Sequence, residues 1–175
     1  MMKAIIITGT PGTGKKTLGK NLAKKLKYDF IDIHDFIKKN KVLIIKRDFL
    51  GDCDVIDINK FKKKVEDLIK KSKNKLVVSS HLIHNINKKY VDICFVTRCS
   101  PDILRKRLFK RGYSSAKIKV NVEAEAVDVC LIEALEKKHR ACEIITTGTQ
   151  KETLEKALKG LKSPKYGFVD WIGKI

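Results

Sequence analysis

The stretch Gly9-Thr10-Pro11-Gly12-Thr13-Gly14-Lys15-Lys16-Thr17 constrains this 175-residue chain more than any other. Gly9, Gly14 and Lys15 fit the spacing G-x-x-x-x-G-K. The glycines let the backbone fold its N–H groups inward around an anion, and a helix starting at the lysine adds its positive end. The context fits the motif. Lys3 to Thr8 is an apolar run that predicts a buried strand, and Leu18, Leu22 and Leu26 give the following segment one apolar helix face. Gly9, Gly12, Thr13, Gly14, Lys15, Lys16 and Thr17 are therefore the expected phosphate cradle, with Lys15 reaching the β and γ phosphates of ATP.

The rest of the chain alternates strands with helices. Strands are expected at Tyr28–Ile33, Lys75–Ser79, Val91–Thr97 and Glu143–Thr146, after the first at Lys3–Thr8. Helices are expected at Lys15–Leu26, after Asn59, from Pro101 to about Lys110 with Ser100 as cap, from Ser115 to Arg140, and from Glu152 to Leu161. Ile118, Val122, Ala126, Val129, Ile132 and Leu135 mark the core side of the long one. Segment 35–57 is less regular and is expected to form short helices in a mobile insert. Five strand-helix alternations predict an α/β fold with a five-stranded parallel sheet covered by helices on both faces, a three-layer arrangement. No linker or repeat divides residues 1–175, so one domain is expected.

Composition removes several classes. No stretch approaches the roughly 20 apolar residues of a membrane span. The short apolar run after Met1 reads as a first strand rather than a signal peptide, so a cytoplasmic protein with no membrane partner is expected. The five cysteines, Cys53, Cys94, Cys99, Cys130 and Cys142, are odd in number, include no Cys-x-x-Cys and sit among apolar residues. They are expected to be reduced core thiols. Lys and Arg total 39 against 20 Asp and Glu, a formal charge of +19. Such an excess attracts polyanions, RNA or nucleotides among them.

Arg98, Arg107 and Arg111 stand where the fourth strand and its helix should meet the nucleotide. Guanidinium forks there would neutralise the charge that phosphoryl transfer spreads over the γ oxygens. Arg107 and Arg111, four apart, are expected to share a helix face. His81 follows a strand end, where α/β sites gather, and could orient an attacking group. Asp32, Asp35 and Arg47 are candidates for holding the acceptor. Glu123, Glu125 and Asp128 read equally as partners of nearby lysines.

One position breaks the motif. The residue after Lys15 should be Ser or Thr, whose hydroxyl holds Mg²⁺. Here it is Lys16, with Thr17 one place later. Two outcomes follow: the metal is held by phosphates, waters and Thr17, or the site binds nucleotide and turns it over slowly.

The loop from Gly9 to Leu18 resembles that of adenylate kinases. Thr97-Arg98-Cys99-Ser100-Pro101, then Leu104, Arg107, Leu108, Arg111, Gly112 and Tyr113, and Asn121-Val122-Glu123-Ala124-Glu125-Ala126, resemble the adenylate kinase isoenzyme six family. The ending Tyr166-Gly167-Phe168-Val169-Asp170-Trp171 is similar to its archaeal branch. The resemblance implies a P-loop NTPase fold of the NMP-kinase type, with an NMP-binding segment at about 32–58 and a short lid at about 110–120. It implies ATP and Mg²⁺ as cofactors, and broad nucleoside monophosphate kinase activity on AMP and other monophosphates, with ATPase activity beside it. It further implies a part in late maturation of the small ribosomal subunit and its 16S rRNA, through transient binding of small-subunit ribosomal protein eleven and contact with pre-ribosomal RNA. The family has an Asp-x-His pattern after the third strand; here Ser79-Ser80-His81 keeps only the histidine.

Three readings remain open on the sequence. One is a nucleoside monophosphate kinase with ATPase activity. Another is an ATPase switch for ribosome assembly. The third is a small-metabolite kinase resembling shikimate kinase, against which the lack of a Gly-Gly motif after the third strand counts.

Overall fold

The apolar run after the amino end forms the centre of the sheet. In a computed structural model, which describes residues 3–39, 44–47 and 54–174, this strand is β1 (Ala4–Thr8) and is buried along its length. It is followed by α1 (Lys15–Leu26), β2 (Asp29–Asp32), α2 (Ile33–Lys39), β3 (Ile44–Arg47), β4 (Asp54–Ile56), α3 (Ile58–Lys71) and β5 (Leu76–Ser79). Then come β6 (Val91–Arg98), α4 (Pro101–Phe109), α5 (Ser115–Ala126), α6 (Val129–Glu136), β7 (Ala141–Ile145) and α7 (Gln150–Lys162).

Five strands pair in parallel in the order β2-β5-β1-β6-β7, with Ile5 beside Val77 and Ile93, and Asp32 beside Ser79. Side chains alternate across a strand, so β1 feeds both faces. Ala4 and Ile6 face a core with Ile33, Phe61, Val65, Ile69, Leu131 and Ala134, from α2, α3 and α6. Ile5 and Ile7 face Leu18, Leu22, Ala23 and Ala157, from α1 and α7. The expected α/β sheet with helices on both faces is what folds. β3 and β4 form a separate antiparallel pair in the irregular segment.

Local differences have physical causes. The helix expected to be capped by Asn59 is capped by Asp57, whose carboxylate accepts from the Asn59 and Lys60 amides at 3.1 and 3.0 Å. The last helix starts at Gln150 because Thr149 and Glu152 close a reciprocal capping box. The long helix expected over Ser115–Arg140 is two helices, broken at Val127 and Asp128, where Asp128 takes φ 60°. The break resets the apolar face, so Leu131 and Ala134 are buried while Ile132 is half exposed.

Cys94, Cys99 and Cys142 are buried, Cys130 is half-buried, and none of these four is in a disulfide. Burial raises all four thiol pKa values, to about 11 for Cys99 and Cys130. Cys53 lies outside the described residues. Among the described residues no helix is long and apolar enough to cross a membrane.

Helix α7 packs so closely that a Cβ on Gly160 would lie 2.7 Å from Cys142 Sγ and 3.1 Å from Phe95 Cε1. Alanine gains helix propensity there, but buried neighbours must move. Gly160→Ala is expected to destabilise by on the order of 1 kcal/mol, read as a lower urea midpoint. Gly173→Ala, where nothing lies within 4 Å of a Cβ, should leave the midpoint unchanged.

Candidate phosphate-binding site

The glycine-rich loop joins β1 to α1 at the carboxyl end of the sheet. Gly9, Gly12 and Gly14 have φ of 136°, 92° and 93°, conformations that side chains disfavour. Gly9 also has no room for one: a Cβ would sit 2.5 Å from Thr97 Oγ1 and 2.6 Å from the Thr97 carbonyl oxygen. Hydroxyls tie the loop down. Thr13 Oγ1 donates to Thr10 O at 2.7 Å and lies 2.7 Å from Thr97 Oγ1. Thr97 Oγ1 donates to Thr8 O at 3.1 Å, and Thr146 Oγ1, just past β7, donates to Thr13 O at 2.7 Å. A loop clamped from β6 and from the end of β7 keeps its shape before any anion arrives.

Lys15 folds across this loop. Its Nζ donates to Gly9 O at 2.7 Å and Thr10 O at 2.9 Å. Burial lowers its pKa from 10.5 to about 8, with Cys130 and Glu125 pulling it up and Arg111 pushing it down. A cavity of about 380 Å³ opens beside the loop, lined by Gly12, Gly14, Thr17, Asn21, Arg107, Arg111 and Thr146 among others. Arg107 is oriented by its Nη2, which donates to Thr146 O at 2.8 Å, and more weakly by Nη1 to Gly12 O at 3.4 Å. Arg111 lies beyond the end of α4, in the turn where its amide donates to Leu108 O at 3.0 Å. The two arginines therefore meet at the cavity without sharing a helix.

Lys16 points the other way, toward the β2 edge. Its Nζ is 3.1 Å from Asp32 Oδ2 and 3.1 Å from Asp35 Oδ2. Hydrogen bonding to Asp35, and next to Asp32, raises its pKa. The other Asp32 oxygen accepts from the His34 amide at 2.9 Å. Asp32 and Asp35, expected to hold the acceptor, are thus engaged with Lys16. Thr17, expected to hold the metal, lines the cavity on the Arg107 side, across the loop from these carboxylates. Ser79 is buried at the end of β5 and offers no carboxylate. These residues do not fit a Mg²⁺ site built on the loop: the ligand position carries an ammonium, and one oxygen of each nearby carboxylate is already paired with it.

His81 lies just past β5, is exposed, and does not line the cavity. Loss of water from its ring, with the Lys15 and His34 charges beside it, lowers its pKa to about 4, so it is neutral near pH 7. Arg47 ends β3, and its side chain lies outside the described residues.

Arg98 departs furthest from expectation. It is 1% exposed, and its guanidinium is spent inside the protein. Nε donates to Glu125 Oε1 at 2.9 Å and Nη2 to the Glu125 carbonyl at 3.0 Å, while Nη1 and Nη2 also contact Glu143 and Asp128. Burial alone would lower its pKa; the carboxylates, Glu125 foremost, outweigh that and raise it. Arg98 therefore organises the frame and does not face the cavity. Its partners escaped the sequence reading because Glu125 and Asp128 look like surface acids on a lysine-rich helix. Thr97 and Thr146 were missed as well, since single threonines at strand ends carry no spacing signal.

Comparison with known proteins decides the family. A family model described as an AAA domain matches residues 5–128. The chain belongs to this AAA domain family. Archaeal relatives named "Putative adenylate kinase" match nearly all of the chain. The one from Methanocaldococcus jannaschii is 38% identical, over 97% of this chain and 93% of the relative. The one from Methanosarcina acetivorans is 39% identical, over 97% of each. Among solved structures, a shikimate kinase from Acinetobacter baumannii in complex with shikimate matches with a TM-score of 0.64 at 17% identity, over 93% of this chain and 94% of that one. An unliganded sugar kinase from Janibacter matches with a TM-score of 0.62 at 12% identity, over 93% of this chain and 95% of that one. The structural likeness shows that the AAA-domain chain has the P-loop kinase fold.

Removing Arg98 would strand Glu125 and Glu143 in the interior of this AAA-domain protein. Arg98→Ala is expected to destabilise by about 3–5 kcal/mol, measured by urea or thermal unfolding. Arg98→Lys should also lose much of that stability, because an ammonium cannot reproduce the planar fork. An Arg98→Ala protein as stable as the parent would return Arg98 to the list of transfer residues.

Proposed function

We propose that the chain is an ATP-dependent nucleoside monophosphate kinase, with AMP as the first acceptor to test. The observation that carries this reading is the Lys15 ammonium held inside a clamped glycine loop, beside a cavity bearing Arg107 and Arg111. The names of the archaeal relatives support the acceptor class.

ATP would lie with its phosphates in the loop and its nucleoside in the cavity past Thr17. Lys15 exchanges its bonds to Gly9 O and Thr10 O for the β and γ phosphate oxygens. Arg107, oriented by Thr146, and Arg111 take the charge that spreads over the transferring group. An oxygen of the acceptor phosphate attacks the γ phosphorus. A new P–O bond forms as the bond to the β–γ bridging oxygen breaks, and ADP leaves with that electron pair. The acceptor phosphate is largely ionised at pH 7, so no base need remove a proton. The neutral imidazole of His81 is suited to orienting the acceptor or a water, and Arg47 to pairing with the acceptor phosphate. The turn after α4 and the start of α5 would serve as the short lid.

The test is a coupled assay of ADP formation from ATP and each monophosphate, with shikimate and sugars as control acceptors. AMP should stimulate ADP formation, and Lys15→Ala should lower it at least about a hundredfold. Parent-like activity in that variant would remove Lys15 from the mechanism, and stimulation by a metabolite but no monophosphate would change the acceptor class. The depressed Lys15 pKa adds a pH signature. Its ammonium is lost as pH rises through about 8, so ATP affinity should be flat below that value and fall up to about tenfold per pH unit above it, measured by calorimetry.

The charge of +19 favours a second reading that can coexist with the first: ATP hydrolysis that resets a partner during small-subunit maturation, with ribosomal protein eleven or rRNA as that partner. Retention of ribosomal components on the immobilised chain should change on adding ATP. Nucleotide-insensitive retention would count against the switch.

A further inference from the structure

We propose that Lys16 is a built-in counter-cation of the phosphate site, so that the chain binds nucleoside triphosphate without a divalent metal ion. The proposal deepens the reading above and rests on it for the presence of nucleotide in the loop.

The position is the first argument. Lys16 follows Lys15 in the first turn of α1, where the loop motif calls for a hydroxyl that ligates Mg²⁺. An ammonium cannot ligate a cation, and it repels a divalent one placed beside it.

The second argument is how Lys16 is held. Its Nζ bridges Asp32 Oδ2 and Asp35 Oδ2, both at 3.1 Å, across the gap between α1 and the β2–α2 corner. Asp32 is itself fixed, because its second oxygen accepts from the His34 amide at 2.9 Å and its side chain is only 12% exposed. An ammonium has three N–H donors. Two go to the carboxylates, which leaves one for a phosphate oxygen. The carboxylates thus anchor a cation that belongs to the chain.

The third argument is the neighbouring strand. Asp32 pairs in register with Ser79 across the β2–β5 ladder. In a metal-organising site of this fold, an acid after β5 would add negative charge here. Ser79 removes that charge, and Lys16 adds a positive one. Both changes move this corner away from divalent cation binding and toward direct contact with an anion. The raised Lys16 pKa keeps the ammonium charged through neutral pH.

The experiment is calorimetric titration of the intact protein with ATP, in EDTA and in excess Mg²⁺, for the parent, Lys16→Thr and Lys16→Arg, with circular dichroism to check folding. The parent should bind ATP in EDTA within about threefold of its affinity with Mg²⁺. Lys16→Thr, which supplies the hydroxyl and removes the ammonium from between Asp32 and Asp35, should lose at least about tenfold in EDTA and recover with Mg²⁺. Lys16→Arg should keep binding in EDTA. Parent affinity that falls tenfold or more on removing Mg²⁺ overturns the proposal, whether or not the variants fold. A loss in Lys16→Thr that Mg²⁺ does not repair also overturns it, because Lys16 would then be a general charge or a structural tie. No ATP binding by the parent in either condition removes the nucleotide site, and the proposal with it; that result is distinct from binding that merely demands Mg²⁺.

Discussion

The Arg98 guanidinium is the tie on which the carboxyl end of this sheet depends. It sits at the last residue of β6 and gathers Glu125 and Asp128, around the α5–α6 break, with Glu143 of β7. The second oxygen of Glu143 accepts from the Gly167 and Phe168 amides at 2.6 and 3.3 Å, so the same cluster fastens the tail. Glu125 also accepts from the Cys99 amide at 3.0 Å. The Arg98 carbonyl accepts from the Thr146 amide at 2.9 Å, and Thr146 in turn holds Thr13 of the loop and Arg107. One buried cation, charge-satisfied on several sides, thereby sets where the phosphate loop and its arginine stand. Such a cluster is costly to desolvate and more costly to leave incomplete, which makes it a strong specifier of one arrangement here.

Around that frame the site divides its positive charge between two sides. Lys15, Arg107 and Arg111 gather at the loop and cavity toward β7. Lys16 turns to the β2 edge and its two carboxylates. Adjacent residues on a helix point about 100° apart, and so Lys16 and Thr17 can serve opposite sides of one loop. The departure from the loop motif is therefore a redistribution of charge rather than a simple loss of a ligand.

The five parallel strands and the apolar stripe of α1 were legible because hydrophobic period and parallel-sheet chemistry are local properties. β1 reads as a continuous apolar run, β6 as an apolar stretch from Ile93 to Val96, and α1 as a stripe at Leu18, Leu22 and Leu26. Capping was legible in principle at Thr149 and Glu152, the two ends of a four-residue stretch that carries its own geometry. The α5–α6 break was not. Asp128 takes a left-handed backbone beside a distant Arg98, and nothing within its own helix predicts that. Arg98 itself read as a phosphate ligand because an arginine at a strand end has the same local look whether its carboxylates are substrate-facing or buried.

The sequence alone determined the glycine loop, the strand before it, the helix after it and the replacement of a ligating hydroxyl by Lys16, since each is written in adjacent residues. Only the tertiary structure decided what the charges do. It sent Arg98 into the core, brought Arg107 and Arg111 to one cavity from different elements, and placed Lys16 between Asp32 and Asp35. A charge acts through distance and dielectric, and both are set by residues far apart in the chain that folding brings together.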